Sequence, residues 1–507
     1  MSNHNSNNKR IAKNTVLLYI RSFIVMIVAL YTSRVILKAL GVEDYGLFNV
    51  IGGVVGLFAF LRSSMTKSTQ RFLNFEMAKP DGRLKETFSV SLAIHVIIAM
   101  IAIVLAETIG LWFLNTYIQI PEGREFAANM VYQATVVSLV FTILSVPYSA
   151  SIIAHEEMGY FAIVSVIDSF LKLAICYLIL IGDSDRLIFY GWLMMGVNFL
   201  NFILYAIYCL IRCPETSVRL LFDKQLLKEM FGYTTWTVVG QVAIIGTNQG
   251  NNILMNMFHS VTANAALGVA NQVNHAVVSL TSSFQTAFNP QITKSYASKD
   301  FDYLKFLVFT TSKVSFLLLT FVSIPIAFNI DVILDVWLDV VPQYSASFVI
   351  LILCNTILNA MSAPFNFTVL SSGKIKFFQV VTSIVFLSDL MFVFVLFSMG
   401  FPPETALAVK VSIMVVILFV RLFFANKEVQ CINMISYLME VALPLLVCSS
   451  ATILIGLLLF HFVDGMMVRM VATIFLMTTT LIVFFFWGLS EKERAMVQKL
   501  IAKKRKL

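Results

Sequence analysis

Along this chain apolar runs the length of whole helices are separated by short polar connections. About fourteen apolar runs of roughly 18–25 residues, the length that crosses a bilayer as a helix, begin near Thr15, Gly46, Thr87, Ala127, Tyr160, Leu187, Phe231, Ala263, Phe306, Phe348, Phe377, Glu404, Ser436 and Met467. The longest polar connection, from Arg62 to Glu86, is too short for a catalytic domain. The pattern predicts an all-α polytopic membrane protein, because a helix satisfies its own backbone groups in lipid. Val42 to Gly46 reads as a tight turn after the first run, and Gly46, Gly52, Gly53 and Gly56 let another helix approach the second closely. Ser145-Val-Pro-Tyr148 predicts a kink, since proline frees a carbonyl.

Two mid-chain runs carry a second pattern. At helical spacing, Thr234, Thr237, Gln241, Asn248, Asn252 and Asn256 share one face. After a break near His259, Asn264, Gly268, Asn271, His275, Ser279, Ser282, Thr286 and Asn289 share another. An amide facing hydrocarbon has no water to bond, so such faces turn toward a cavity or a partner helix. Hydrogen bonds between helices account comfortably for one or two of these residues per helix. So many polar positions point instead to a wet, largely uncharged cavity wall.

Composition agrees: 59% hydrophobic and 13% charged residues, with mean hydropathy +0.85, place the chain among membrane proteins. A net charge of +8 would suggest nucleic acid, but the charges are distributed otherwise. Starting from a cytoplasmic N-terminus, the inside connections hold Arg62, Lys67, Arg71, Lys79, Arg83 and Lys85, then Arg212, Arg219, Lys224 and Lys228, then Lys294, Lys299 and Lys305. The outside ones hold few bases beside acids such as Asp183, Asp185, Asp331 and Asp335. That asymmetry predicts a membrane protein with both termini cytoplasmic. It removes nucleic acid as a partner and sets the basic tail, Lys503 to Lys506, against membrane lipids.

The second half of the chain repeats the first. Ser145-Val-Pro-Tyr is answered by Ser362-Ala-Pro-Phe, Leu111-Trp-Phe-Leu by Val336-Trp-Leu-Asp, and Leu61-Arg-Ser-Ser by Leu280-Thr-Ser-Ser. All are offset by roughly 217–225 residues. The expected organisation is two six-helix lobes, 1–214 and 215–430, in parallel pseudo-twofold repeat, plus two extra C-terminal helices in 431–507.

Charged residues within the runs need explanation, since each costs a few kcal/mol in lipid. Lys313, Lys410 and Arg421 lie near helix ends and read as snorkelling anchors. Arg21 and Arg34 read either as anchors or as anion contacts. Lys172 is central in its run, with Asp168 one turn earlier. Shifted by about 217 residues, Lys172 falls on Asp389. Two readings stand open: a local Asp168–Lys172 pair with Asp389 satisfied separately, or a gating or ion-coupling element made of Lys172 and Asp389.

Catalytic signals are absent: GxxxxGK[ST], GxSxG and HExxH do not occur. The six cysteines form no CxxC pair and read as packing residues, and His155-Glu-Glu157 reads as a solvated turn. No enzyme activity, cofactor or metal site is expected.

Arg34 followed by Leu40-Gly-Val-Glu-Asp-Tyr-Gly46, the glycine-rich second run, the amide-striped mid-chain helices and the two Ser-x-Pro helix ends resemble the polysaccharide transporter (Wzx, O-antigen flippase) family of the multidrug/oligosaccharidyl-lipid/polysaccharide exporter superfamily. The resemblance spans the chain but its motifs are diffuse. It implies alternating access and a substrate of undecaprenyl-pyrophosphate-linked oligosaccharide, moved from the cytoplasmic to the outer leaflet, with glycan-assembly enzymes as possible partners. It further implies Arg21 and Arg34 as cationic cavity groups. Together with the stripes, the expected substrate-binding residues are Arg21, Arg34, Gln241, Asn248, Asn252, Asn271 and His275. A cation-coupled multidrug antiporter of the same superfamily is the alternative. A polytopic glycan polymerase or ligase is a further one, although it would want a large outer catalytic loop.

Overall fold

The computed structural model describes residues 2–56, 59–79, 81–117, 120, 122–181, 185–216, 223–259, 261–338, 341–461, 465–491 and 493–494. Among these residues the fold is helical, without strands. Among the described residues, ten helices are long and apolar enough to cross a membrane. Three helices that hold expected spans fall outside that set, Ser2–Gly56 (α1), Lys224–Phe258 (α9) and Val261–Ala297 (α10), and the stretch expected as a polar connection is itself largely helical, as Ala59–Met77 (α2). Asparagine and glutamine lower the hydropathy of α9 and α10, yet both remain unbroken helices of 35 and 37 residues.

By internal packing the chain divides within α9 into an N-terminal unit, Met1–Gln241, and a C-terminal unit, Val242–Leu507. In the N-terminal unit, α1 is followed by α2, Leu84–Leu105 (α3), Leu111–Tyr117 (α4), Glu125–Leu144 (α5), Val146–Ala154 (α6), Met158–Leu178 (α7) and Arg186–Arg212 (α8). The tight turn expected at 42–46 does not form. Those residues stay helical, and the chain turns at Gly41 alone, with φ 81°. Glycine holds that left-handed angle at no steric cost, so one residue suffices. The connections flanking α5 and α8 are clamped by Arg124, whose guanidinium bonds both Asp44 and Asp185. Asp185 also caps α8 by accepting from the backbone N–H of Leu187 and Ile188 at 3.0 and 3.1 Å.

Proline acts as expected at Pro147. The α5 helix stops at Leu144 and α6 restarts with proline in its first turn. A π turn at Ala106–Gly110 between α3 and α4 frees a carbonyl, which accepts from Tyr132 Oη at 2.7 Å. The α1 helix packs on α5 and α7, α5 on α8, and α2 on α6. Leu114, Ala128, Val131, Tyr132 and Ile143 form a fully buried core between them.

The C-terminal unit echoes this order. Phe301–Phe328 (α11) leads into short Ile330–Trp337 (α12), as α3 leads into α4. Ser345–Ser372 (α13) contains Pro364, the counterpart of Pro147, but runs through it unbroken. Lys376–Ser398 (α14) and Glu404–Glu428 (α15) follow, then Met434–Tyr437 (α16), Leu443–His461 (α17) and Met466–Val483 (α18). The α13 helix is the centre of the unit, packed on α10, α11 and α15, while α17 and α18 lean on α11. Lys313 proves not to be an interfacial anchor. It is buried, and its Nζ donates to Glu493 Oε2 at 3.0 Å, pinning the segment after α18 onto α11. A buried ammonium needs a partner more than it needs the membrane surface.

Candidate functional site

Five helices of the C-terminal unit enclose a cavity of about 410 Å³, a size typical of small-molecule sites. Its walls are built from amides at helical spacing. The α9 helix supplies Asn248, Asn251 and Asn252, α10 supplies Asn271, Asn274 and His275, and α13 supplies Asn355 and Asn359. Asp389 enters from α14, and Lys410 and Arg421 from α15. Apolar side chains such as Met255, Leu267 and Ile352 fill the gaps.

Each charge is held by an uncharged neighbour. Asn251 Nδ2 donates to Asp389 Oδ2 at 2.6 Å, and both side chains are buried. Lys410 Nζ donates to Asn248 Oδ1 at 2.7 Å. Arg421 Nη1 donates to Asn359 Oδ1 at 3.0 Å and to Ser362 Oγ at 2.6 Å. The α9 and α14 helices can come this close because Gly250 faces Leu390, where a Cβ would lie 2.6 Å from Leu390 Cδ2. Asn251 Oδ1, Asn355 Oδ1, Asp389 Oδ1 and Arg421 Nε have no hydrogen-bond partner among the described residues. Unsatisfied buried polar atoms are costly, so this wall suits a polar guest rich in donors and acceptors.

Of the residues expected from sequence, Asn248, Asn252, Asn271, His275 and Asp389 meet in this cavity. Gln241, half-buried on α9, is not among its lining residues. Thr234 and Thr237 are buried packing groups rather than lining: Thr234 Oγ1 bonds Ser68 Oγ at 2.8 Å and Thr237 Oγ1 bonds Thr234 O at 2.7 Å. In the N-terminal unit Arg21 lies over the Phe161 ring, 5.0 Å from its centre, and the side chain of Arg34 is outside the described residues. Lys172 Nζ donates to Asp168 Oδ2 at 2.8 Å, and Asn201 Nδ2 donates to the other carboxylate oxygen at 2.6 Å. Lys172 and Asp389 each thus have a hydrogen-bond partner within their own unit.

Lys410 and Arg421 depart from the expectation of anchoring. Both face the cavity, and Arg421 is only 7% exposed. Proximity to a helix end suggested snorkelling, but the rotation of α15 decides which way the stems point. Asn274, Asn355 and Asn359 were missed as well. Asn355 and Asn359 do stand one turn apart, a spacing that carries the same signal as the stripes of α9 and α10.

No protein-family model matches the chain, and no curated protein matches it in sequence. Comparison with solved structures shows the fold. The chain has the fold of the MATE transporters of the MOP superfamily, an all-α polytopic membrane fold. It is similar to a MOP-superfamily transporter from Pyrococcus furiosus whose binding pocket is described as having reverse polarity. That match has 13% identity over 83% of this chain and 96% of the other, with TM-score 0.70. A multidrug-resistance MATE transporter in an outward-facing conformation matches at 13% identity over 83% and 97%, TM-score 0.66. A mutant of the Vibrio cholerae MATE transporter VcmN matches at 14% over 85% and 99%, TM-score 0.67. The matches cover nearly all of each neighbour but not all of this chain.

Proposed function

We propose that the protein is an alternating-access membrane transporter that flips an undecaprenyl-pyrophosphate-linked oligosaccharide from the cytoplasmic to the outer leaflet. The observation carrying this reading is the chemistry of the cavity. Amides act as donors and acceptors together, which is what sugar hydroxyls require. Lys410 and Arg421 outnumber Asp389, which favours a guest carrying negative charge. Asn248, Asn252, Asn271 and His275 would contact the glycan, and Arg21 and Arg34 would serve the pyrophosphate from the N-terminal unit. Asp168 with Lys172, and Asp389, would bias which side is open. No covalent bond changes, so no catalytic residue is required.

A second reading, a cation-coupled multidrug or small-molecule antiporter, is favoured by one observation: Asp389 is fully buried and its Oδ1 lacks a partner among the described residues. A carboxylate so placed could take up a cation. Reconstitution into vesicles with a fluorescent lipid-linked oligosaccharide separates the two. Under the flippase reading, the protein makes the glycan accessible to an impermeant glycosidase without an ion gradient, and Lys410→Met with Arg421→Gln abolishes this. Drug uptake that needs a cation gradient and is lost in Asp389→Asn, with no glycan movement, overturns the flippase in favour of the antiporter.

A further inference from the structure

Outside the cavity, the turn after α6 and the end of α8 in the N-terminal unit bring three ligand-bearing side chains together. His155 Nε2, Cys213 Sγ and a Glu215 carboxylate oxygen all lie within 4.8 Å of one another. The His155-Glu-Glu157 turn is therefore solvated only in part, since Glu157 is exposed but Glu156 is not. Glu156 is buried and paired with Arg10 at 2.6 Å, and His155 Nε2 lies 2.7 Å from Glu215 Oε1. Cys213 and Glu215 are each 3% exposed, whereas the His155 side chain is 31% exposed. The cluster thus has a buried floor and one open side.

We propose that His155, Cys213 and Glu215 form a binding site for a thiophilic divalent cation of the zinc class. The donor set is the first reason: one imidazole, one thiol and one carboxylate match the ligand types of three-protein-ligand zinc sites. Charge is the second. A thiolate and a carboxylate held together offset the charge of a divalent ion. Distance is the third. Tetrahedral zinc with bonds of about 2.0–2.3 Å needs donor atoms about 3.3–3.8 Å apart; the three donors already lie within 4.8 Å of one another, and His155 and Glu215, hydrogen-bonded at 2.7 Å, part slightly to admit the ion.

The supporting groups fit as well. Ser151 Oγ, fully buried, donates to Glu215 Oε1 at 2.7 Å and so orients the carboxylate. Cys209 stands one helical turn before Cys213, and its Sγ donates to Tyr148 O at 3.3 Å. A water can occupy the fourth position. Bound there, the ion ties the α6–α7 turn to the end of α8.

Cobalt(II) chloride is the probe. The full-length protein, purified in detergent, stripped with chelator and kept reduced, is titrated with cobalt and read by absorption. The expected result is saturation at one ion per chain, with a thiolate-to-cobalt charge-transfer band and the intense visible bands of tetrahedral cobalt, all displaced by zinc. Cys213→Ser loses the charge-transfer band, Cys431→Ser keeps it, and Ser151→Ala weakens binding about 10–100-fold. His155→Gln, at the exposed side, keeps a polar contact to Glu215 yet loses the tetrahedral bands, which guards against misfolding of Cys213→Ser. A wild-type spectrum indistinguishable from that of Cys213→Ser, or a band that disappears in Cys431→Ser, overturns the site.

Discussion

Asp389 shows how a single amide sets the cost of a buried charge. Its carboxylate is fully buried, and Asn251 holds one oxygen at 2.6 Å. Hydrogen bonds to a charged group contribute about 1.5–3 kcal/mol. Asn251→Leu should therefore destabilise the wild-type background by that amount and the Asp389→Asn background by clearly less. Thermal inactivation in detergent measures both. The same cycle applied to Asp168 and Lys172 should show coupling between those two residues, with Asp389→Asn adding independently. Additivity within about 0.5 kcal/mol in either pair removes that pair as an interacting unit. Coupling of Lys172 to Asp389 instead would restore the joint gating element.

At the scale of elements, close approach and outer clamps are what hold the site's helices. Gly250 lets α9 meet α14 at Leu390, one residue from the Asn251–Asp389 bond. Gly250→Val should cost about 1–3 kcal/mol through overpacking and slow transport, with Gly250→Ala intermediate because the Leu390 side chain can shift. Equal transport in all three would show that this contact does not set the cavity. The Arg124 clamp makes a pH-dependent contribution. Partial burial pushes the Asp185 carboxyl up, but hydrogen bonds from Arg124 and from the backbone of Ile188 and Leu187 outweigh it and hold the group below its usual value. A carboxyl lowered on folding stabilises above its unfolded pKa of about 3.9, and this contribution fades as pH falls through the lower folded value. Both side chains are partly exposed, so the contribution is about 0.5–1 kcal/mol. Arg124→Ala should lower the inactivation temperature by a constant amount from pH 7 down to about pH 5, with the gap closing below about pH 4. A gap unchanged at acid pH assigns the effect to packing.

For the whole molecule, charge placement yields a topology. Reporter fusions after Gly123 and Gly400 should read outside, and fusions after Glu157 and Gly373 inside. A fusion at Gly400 on the same side as one at Gly373 would remove α14 as a span and, with it, the alternation on which the orientation rests. The fold itself, shared with MATE transporters at 11–14% identity, lies below what residue-by-residue likeness reveals. Hydropathy runs were enough to predict its class, an all-α polytopic membrane protein.

Sequence alone determined the properties that sum along a helix: length, mean hydropathy, the face on which amides gather and the side on which lysines collect. Each depends on the spacing of a few neighbouring residues, so the polar wall of Asn248, Asn252, Asn271 and His275 is legible in the chain itself. Tertiary structure decided what depends on how a helix is rotated and which neighbour it meets. Lys313, Lys410 and Arg421 look alike in the chain, as bases near helix ends, yet one pairs with Glu493 and the other two face a cavity. His155 and Glu215 are 60 residues apart and share no spacing pattern that a sequence can display. Only packing brings them to hydrogen-bonding distance, because a contact between side chains is fixed by the positions of two backbones rather than by either sequence segment alone.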